Sequence, residues 1–466
     1  MRGNPLTSPE AGYTVGDSGQ PSVSATRLGR RRTRLRWLLE RSARWSTGGK
    51  DVEWDSPAAL NMAGVATRSL SRSVWGIFVP LVLPVAGYGV YSLLQTTAAV
   101  LTQIGILGTP QTLLRQPGRK LPIAGLFLHS LLIACIVLPL LISRHGAEDG
   151  WYGVLVAAMA VTLIGYGILV ARTKAANAFA GVFRAEALGA LALLLALGGL
   201  VLAQQSRGAH EASYVVVCAL EIGATVVVVL TLMLSTSTHV TREEFRLAGT
   251  TGVLSSVYSV GILVLLDLLI FRRLEMYFLE ASPDGLRGVA VFGLGVQLAS
   301  LPLLFPSAMV EAWMPGLATS FASGWQEFEE RFKTNRQTYR RAFAWVLAAS
   351  ILGPAVLVRL VFTRYAPWMW YLVAFATIRV VCSYAGYYSS VLYVARRERW
   401  LYLPGLLGVL VGIGSNWLLT VRWGVRGAVA AFALTQASVA IATLVAFRAA
   451  TPWMRRDAGR GAPTGA

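Results

Sequence analysis

Arg68 and Arg72 stand four residues apart in the first apolar stretch of this 466-residue chain. At that spacing two side chains share one helix face. Two guanidinium groups on one face, each a planar fork of donors, suit the oxygens of a phosphate or diphosphate in a cavity. The other reading is a helix that starts later, with both arginines snorkelling to a membrane interface. Arg379 lies in "FATIRVVCSYAGYYSSVLYV", ahead of Tyr384, Tyr387, Tyr388 and Tyr393. An arginine followed by tyrosines suits a ligand with anionic and sugar parts, because a tyrosine offers an apolar ring and a hydroxyl. A structural arginine satisfied by carbonyls or an acid is the alternative. Asp267, in "VLLDLLIFRR", and Glu221, in "CALEIGATV", are the deepest acids. Either they titrate and couple a movement to a proton or sodium gradient, or they pair with an intramembrane arginine. Arg184, Glu186 and Glu311 fall near the ends of apolar runs and read as interfacial.

Catalytic constellations are absent from the sequence. No Walker-type phosphate loop, Gly-x-Ser-x-Gly elbow or metal-binding helix occurs, so no enzyme, cofactor or metal is expected. The four histidines are scattered, and Cys135, Cys218 and Cys382 lie in apolar runs, which argues against a metal site or a disulfide framework. A net charge of +19 raises nucleic acid as a partner. No nucleic-acid module accompanies it, and the basic residues cluster in tails and short loops, so nucleic acid is set aside.

Those residues are positioned by membrane helices. Hydrophobic residues make up 55% of the chain and charged ones only 14%, against about 25% charged in a soluble domain. A helix needs about 20 residues to cross a ~30 Å hydrocarbon core. The apolar runs give twelve spans: 57–82, 87–108, 122–143, 151–171, 180–203, 212–235, 246–271, 286–310, 339–362, 367–394, 401–420 and 425–449. The uncharged run from Val74 to Ile106 is too long for one span and too short for two with a turn. The break is expected at Ala86–Gly89, and the first span then begins well before Val74, which draws Arg68 and Arg72 into the bilayer.

With the N-terminus inside, the inner loops and C-tail carry nineteen Lys and Arg and the outer loops nine. Both termini are therefore expected on the cytoplasmic side. Residues 1–56 read as a disordered basic cytoplasmic tail and 450–466 as a cytoplasmic C-tail. Residues 57–235 and 246–449 form two halves of six spans each. Phe321, Trp325, Phe328 and Phe332 recur on one helical face and predict an interfacial helix near 316–338. Gly89-Val-Tyr91 and Gly288-Val-Ala290 open the second and eighth spans, an echo that a doubled transporter would show.

The stretch "GYGVYSLLQTTAAVLTQIGILGTPQTLLR", Gly87–Arg115, resembles the second-span signature of bacterial polysaccharide and O-antigen flippases, in which a Gly-x-Tyr opens the helix. Val264–Arg273 and "GLGVQLASLPLLFPSAMVEAWMPGLA" resemble the seventh and eighth spans of that family. These flippases belong to the multidrug, oligosaccharidyl-lipid and polysaccharide exporter (MOP) superfamily. The resemblance covers residues 57–449. It implies two pseudo-symmetric six-helix lobes around a cationic central cavity in the bacterial cytoplasmic membrane. By alternating access, such a protein moves an undecaprenyl-diphosphate-linked oligosaccharide between leaflets, in company with glycosyltransferases or a polymerase. Alternatives within the superfamily are a peptidoglycan-precursor flippase and a drug or cation antiporter. Outside it stand a membrane glycosyltransferase or polymerase and a scaffold for a polysaccharide synthase. The charge census weighs against the antiporter, and the short outer loops against the enzyme.

Overall fold

The computed structural model of the protein describes residues 57–106, 109–110, 123–141, 150–175, 178–206, 212–236, 266 and 274–458. The expected tail 1–56, most of the seventh span and Asp267 lie outside the described residues. The described residues are helical, without strands. In order they form α1 (Pro57–Val82), α2 (Val85–Ile106), α3 (Ile123–Leu141), α4 (Gly150–Ala175), α5 (Phe179–Ser206), α6 (Tyr214–Thr236), the short α7 (Leu274–Glu280), α8 (Gly285–Ser323), α9 (Trp325–Leu360), α10 (Met369–Ser383), α11 (Ala385–Val394), α12 (Tyr402–Ser415) and α13 (Val421–Asp457). Among the described residues, seven helical segments are long and apolar enough to cross a membrane. Their outward faces carry large apolar side chains, such as Leu234 at 76% exposure, Trp345 at 80% and Leu360 at 76%. In water such a surface would drive aggregation; in lipid it is solvated. The chain is an all-α integral membrane protein.

The two halves pack by the same scheme. In the first, α2 touches α3 and α4, α4 touches α6, and α5 touches α6. In the second, α8 touches α9 and α10, α10 touches α13, and α12 touches α13. Leu266, of the expected seventh span, lies against Gly405 of α12, just as α1 lies against α5. The halves meet mainly through α2 and α8. There the chains approach too closely for side chains on both: a Cβ on Gly89 would sit 2.1 Å from the Leu286 carbonyl oxygen, and one on Gly293 would sit 2.6 Å from Ser92 Oγ.

Two expectations about local structure change. The turn between the first two spans falls at Leu83–Pro84, not at Ala86–Gly89. Proline has no N–H to donate and disfavours helix in the residue before it, so Pro84 ends α1. Gly89 instead provides the close approach to the second half. Residues 316–338 are not a separate interfacial helix. They are the ends of α8, 39 residues long, and α9, 36 residues long, which meet at Gly324. At ~1.5 Å per residue, α8 is about 58 Å long, nearly twice a ~30 Å hydrocarbon core. The predicted aromatic face is present, with Phe328 and Phe332 buried. It packs against α11 and α13 and holds the tip of this hairpin to the bundle. The expected boundary between the last two spans is a kink at Gly424, whose φ of 55° suits glycine. Asp284 caps it by accepting from the Val425 N–H at 2.7 Å.

Candidate functional site

Beyond the tight contacts of α2 with α8, the halves line an open cavity of about 870 Å³. On α1 it is lined by Val65, Arg68, Ser69, Arg72, Ser73 and Gly76. The spacing of three and four residues is one helical face. Because α1 begins at Pro57, Arg68 and Arg72 lie roughly 16 and 22 Å along its axis at ~1.5 Å per residue. Both arginines line the cavity. Arg68 is braced: its guanidinium carbon lies 4.8 Å from the Tyr166 ring centroid. Tyr166 in turn donates its O–H to Glu186. Glu186, expected at an interface, is buried in the first half. Chain position alone does not show that Tyr166 of α4 packs against it.

Glu221 of α6 lines the same cavity. Its carboxylate accepts from Tyr91 Oη at 2.7 Å and from Gln95 Nε2 at 2.8 and 3.0 Å. Trp75 Nε1 donates to Tyr91 Oη at 3.0 Å and extends the network to α1. Among the described residues the donors that hold Glu221 are neutral. A side pocket of about 80 Å³ runs behind it, lined by Arg72, Gln95, Thr162 and Thr225 among others.

Arg379 of α10 reaches the cavity from the second half. The structure thus joins Arg68, Arg72, Arg379 and Glu221 around one space, while Asp267 lies outside the described residues. Glu221 is the one carboxylate among the described lining residues, against three arginines. The tyrosines are placed differently from the expectation. Tyr384, Tyr387 and Tyr388 are not on the cavity wall. Tyr387 is 1% exposed and stacks on Phe332 and Tyr339, with centroids at 5.5 and 5.2 Å. Tyr384 packs on Phe343 at 5.2 Å and Tyr388 on Phe447 at 5.0 Å. A helix turns ~100° per residue. The face of Arg379 therefore continues through Ser383, Gly386, Ser390 and Tyr393, and the three tyrosines point to the side. Reading the helical wheel rather than the chain order would have shown this.

Glu275 was missed altogether. It sits on α7, in what reads as an outer loop, yet it is fully buried. Neither carboxyl oxygen has a hydrogen-bond partner among the described residues. Its helix packs against a π-helical turn (Asn416–Thr420). The available signal was an acid set inside the apolar run "LEMYFL".

No family model and no curated protein matches the sequence. Solved structures do match in fold. One is an inward-facing multidrug resistance MATE family transporter of the MOP superfamily, with a TM-score of 0.63, 16% identity, and coverage of 85% of this chain and 99% of that one. Another is an outward-facing MATE family transporter, with a TM-score of 0.56, 18% identity, and coverage of 86% and 94%. A third, from Pyrococcus furiosus, is a MOP superfamily transporter whose reversed pocket polarity suggests a different function for it; its TM-score is 0.53 at 16% identity, with coverage of 85% and 94%. At these identities the likeness is one of fold, and the fold of this chain is that of the MATE transporters of the MOP superfamily.

Proposed function

We propose that the protein is an alternating-access flippase that moves an undecaprenyl-diphosphate-linked oligosaccharide across the bacterial cytoplasmic membrane. The observation that carries this reading is the charge of the cavity. Arginines from both halves converge on one space, and the single described carboxylate there is held by neutral groups. A diphosphate gains charge-assisted hydrogen bonds from such a site. An organic cation is repelled by it, so the drug antiporter is disfavoured. The recurrence of the fold in inward- and outward-facing transporters supports alternating access. In this reading Arg68 and Arg72 hold the diphosphate from one half and Arg379 from the other. Glu221 takes up or releases the coupling ion. In this reading the basic stretch of α9 from Arg331 to Arg341 and the basic end of α13 face the cytoplasm, and the polyprenyl tail stays in lipid beside the bundle.

The test is replacement of Arg68 and Arg72 together by alanine. At matched protein levels, surface polysaccharide and the translocation of a fluorescent lipid-linked sugar in proteoliposomes are both expected to collapse. Wild-type export by this double variant would remove the anion site from the mechanism. A peptidoglycan-precursor flippase has the same charge requirement, and loss of viability on gene deletion would select it.

A further inference from the structure

Past Arg379 the cavity wall changes character. Ser383, Gly386, Ser389, Ser390 and Tyr393 follow it on the cavity side of α10 and α11. Fourteen residues of helix span roughly 21 Å at ~1.5 Å per residue. No charged side chain occurs from Val380 to Ala395. The hydroxyl groups are parked on their own helix: Ser383 Oγ donates to the Val380 carbonyl at 2.7 Å. Ser389 and Ser390 both donate to the Gly386 carbonyl, at 2.8 and 2.9 Å. Each oxygen keeps its lone pairs for a ligand, and each hydroxyl can turn to donate instead. A Cβ on Gly386 would meet nothing within 4 Å, so the wall is recessed there. Tyr393, 38% exposed, closes the strip with an aromatic face.

Such a surface is too polar for a polyprenyl chain and too neutral to select phosphate. Rotatable hydroxyls that both donate and accept, with a ring for the C–H face of a pyranose, match a neutral polyhydroxylated ligand. We infer that the strip from Ser383 to Tyr393 is the glycan track of the cavity, along which the sugars lie once the diphosphate is held at Arg379. This assignment rests on the flippase reading above and replaces the expected contacts of Tyr384, Tyr387 and Tyr388.

The experiment compares two ligands on full-length protein in nanodiscs. One is glycan-free undecaprenyl diphosphate; the other is the lipid-linked oligosaccharide extracted from the native membrane. The wild type is expected to bind the second more tightly. Ser389→Ala/Ser390→Ala is expected to weaken the second about 10-fold, as two hydroxyl contacts predict, and to leave the first unchanged. Gly386→Phe, which projects into the recess, is expected to do the same or more. Equal affinity of the wild type for the two ligands overturns the track, as does an equal loss for both ligands or none in the serine variant. The serine pair decides the matter if Gly386→Phe misfolds. Failure of the flippase reading looks different: Arg68→Ala/Arg72→Ala then binds glycan-free undecaprenyl diphosphate as well as the wild type does.

Discussion

The two walls of the cavity are built on different principles. On the first half, Arg68 and Glu221 are held by other helices. Arg68 is braced by Tyr166 and, through it, Glu186, while Glu221 is held by Tyr91 and Gln95 and, through Tyr91, by Trp75. On the second half, the hydroxyls are satisfied by the carbonyls of their own helix, three or four residues back. The contrast follows from what each group costs at membrane depth. A charge needs a partner brought from elsewhere in the fold, or a ligand, whereas a hydroxyl can be satisfied locally. The first wall is therefore preorganised for one charge pattern, and the second is adaptable.

The sharpest way to break this contrast is to remove the charges. Arg68→Ala/Arg72→Ala is expected to weaken undecaprenyl diphosphate about 10²- to 10⁴-fold, at ~1.5–3 kcal/mol per charge-assisted bond. Calorimetric titration in nanodiscs measures it, and a loss no larger than that of the serine pair would make the walls equivalent. Next in size is the aromatic stack behind the second wall. Tyr387→Ala is expected to cost about 3–5 kcal/mol of stability, as for a buried aromatic, and to lower the melting temperature in detergent. The protein that remains folded should bind the lipid-linked oligosaccharide with wild-type affinity; altered affinity would return Tyr387 to the site.

Gly89→Val probes the seam that brings the walls together. The added side chain collides with the Leu286 carbonyl, and overpacking of ~1–3 kcal/mol disfavours the closed contact of α2 with α8. Cys382 lines the cavity, so its labelling by an impermeant maleimide in inside-out membrane vesicles, in a Cys135→Ser background, reports the shift. Slower labelling is expected as the halves swing to the opposite arrangement, and an unchanged rate would remove the seam from the conformational cycle. The smallest effect is expected from Glu221→Gln, which preserves shape. It removes one negative charge from a cationic space, so affinity for undecaprenyl diphosphate should rise about 2- to 5-fold, on the scale of ~1 kcal/mol. Transport should lose its dependence on the ion gradient. Retention of that dependence would move coupling elsewhere, with Glu275 the next carboxylate to replace.

Much of the architecture was legible because lipid imposes a length and a composition on every span. The expected first span began at residue 57, as α1 does, from the arithmetic of an uncharged run. That reading also put Arg68 and Arg72 well inside the helix, where they line the cavity. The turn at Pro84 was misplaced because glycine and proline both punctuate helices, and only the contact with Leu286 shows which role Gly89 has. Tyr384, Tyr387 and Tyr388 were grouped with Arg379 because they are near in sequence, while a helix separates neighbours by angle. Glu186 and Glu275 looked peripheral because burial depends on neighbours from other helices.

The sequence by itself determined that the chain spans a membrane as helices, that the spans fall into halves, and which few charges interrupt the apolar runs. Hydrophobic length and the cost of burying charge are local properties, readable residue by residue. Only the tertiary structure decided which of those charges share a cavity, which acid is held by neutral donors, and which face of α10 and α11 meets the ligand space. Those are matters of long-range packing and helical phase, set by contacts between residues as far apart as Tyr91 and Glu221.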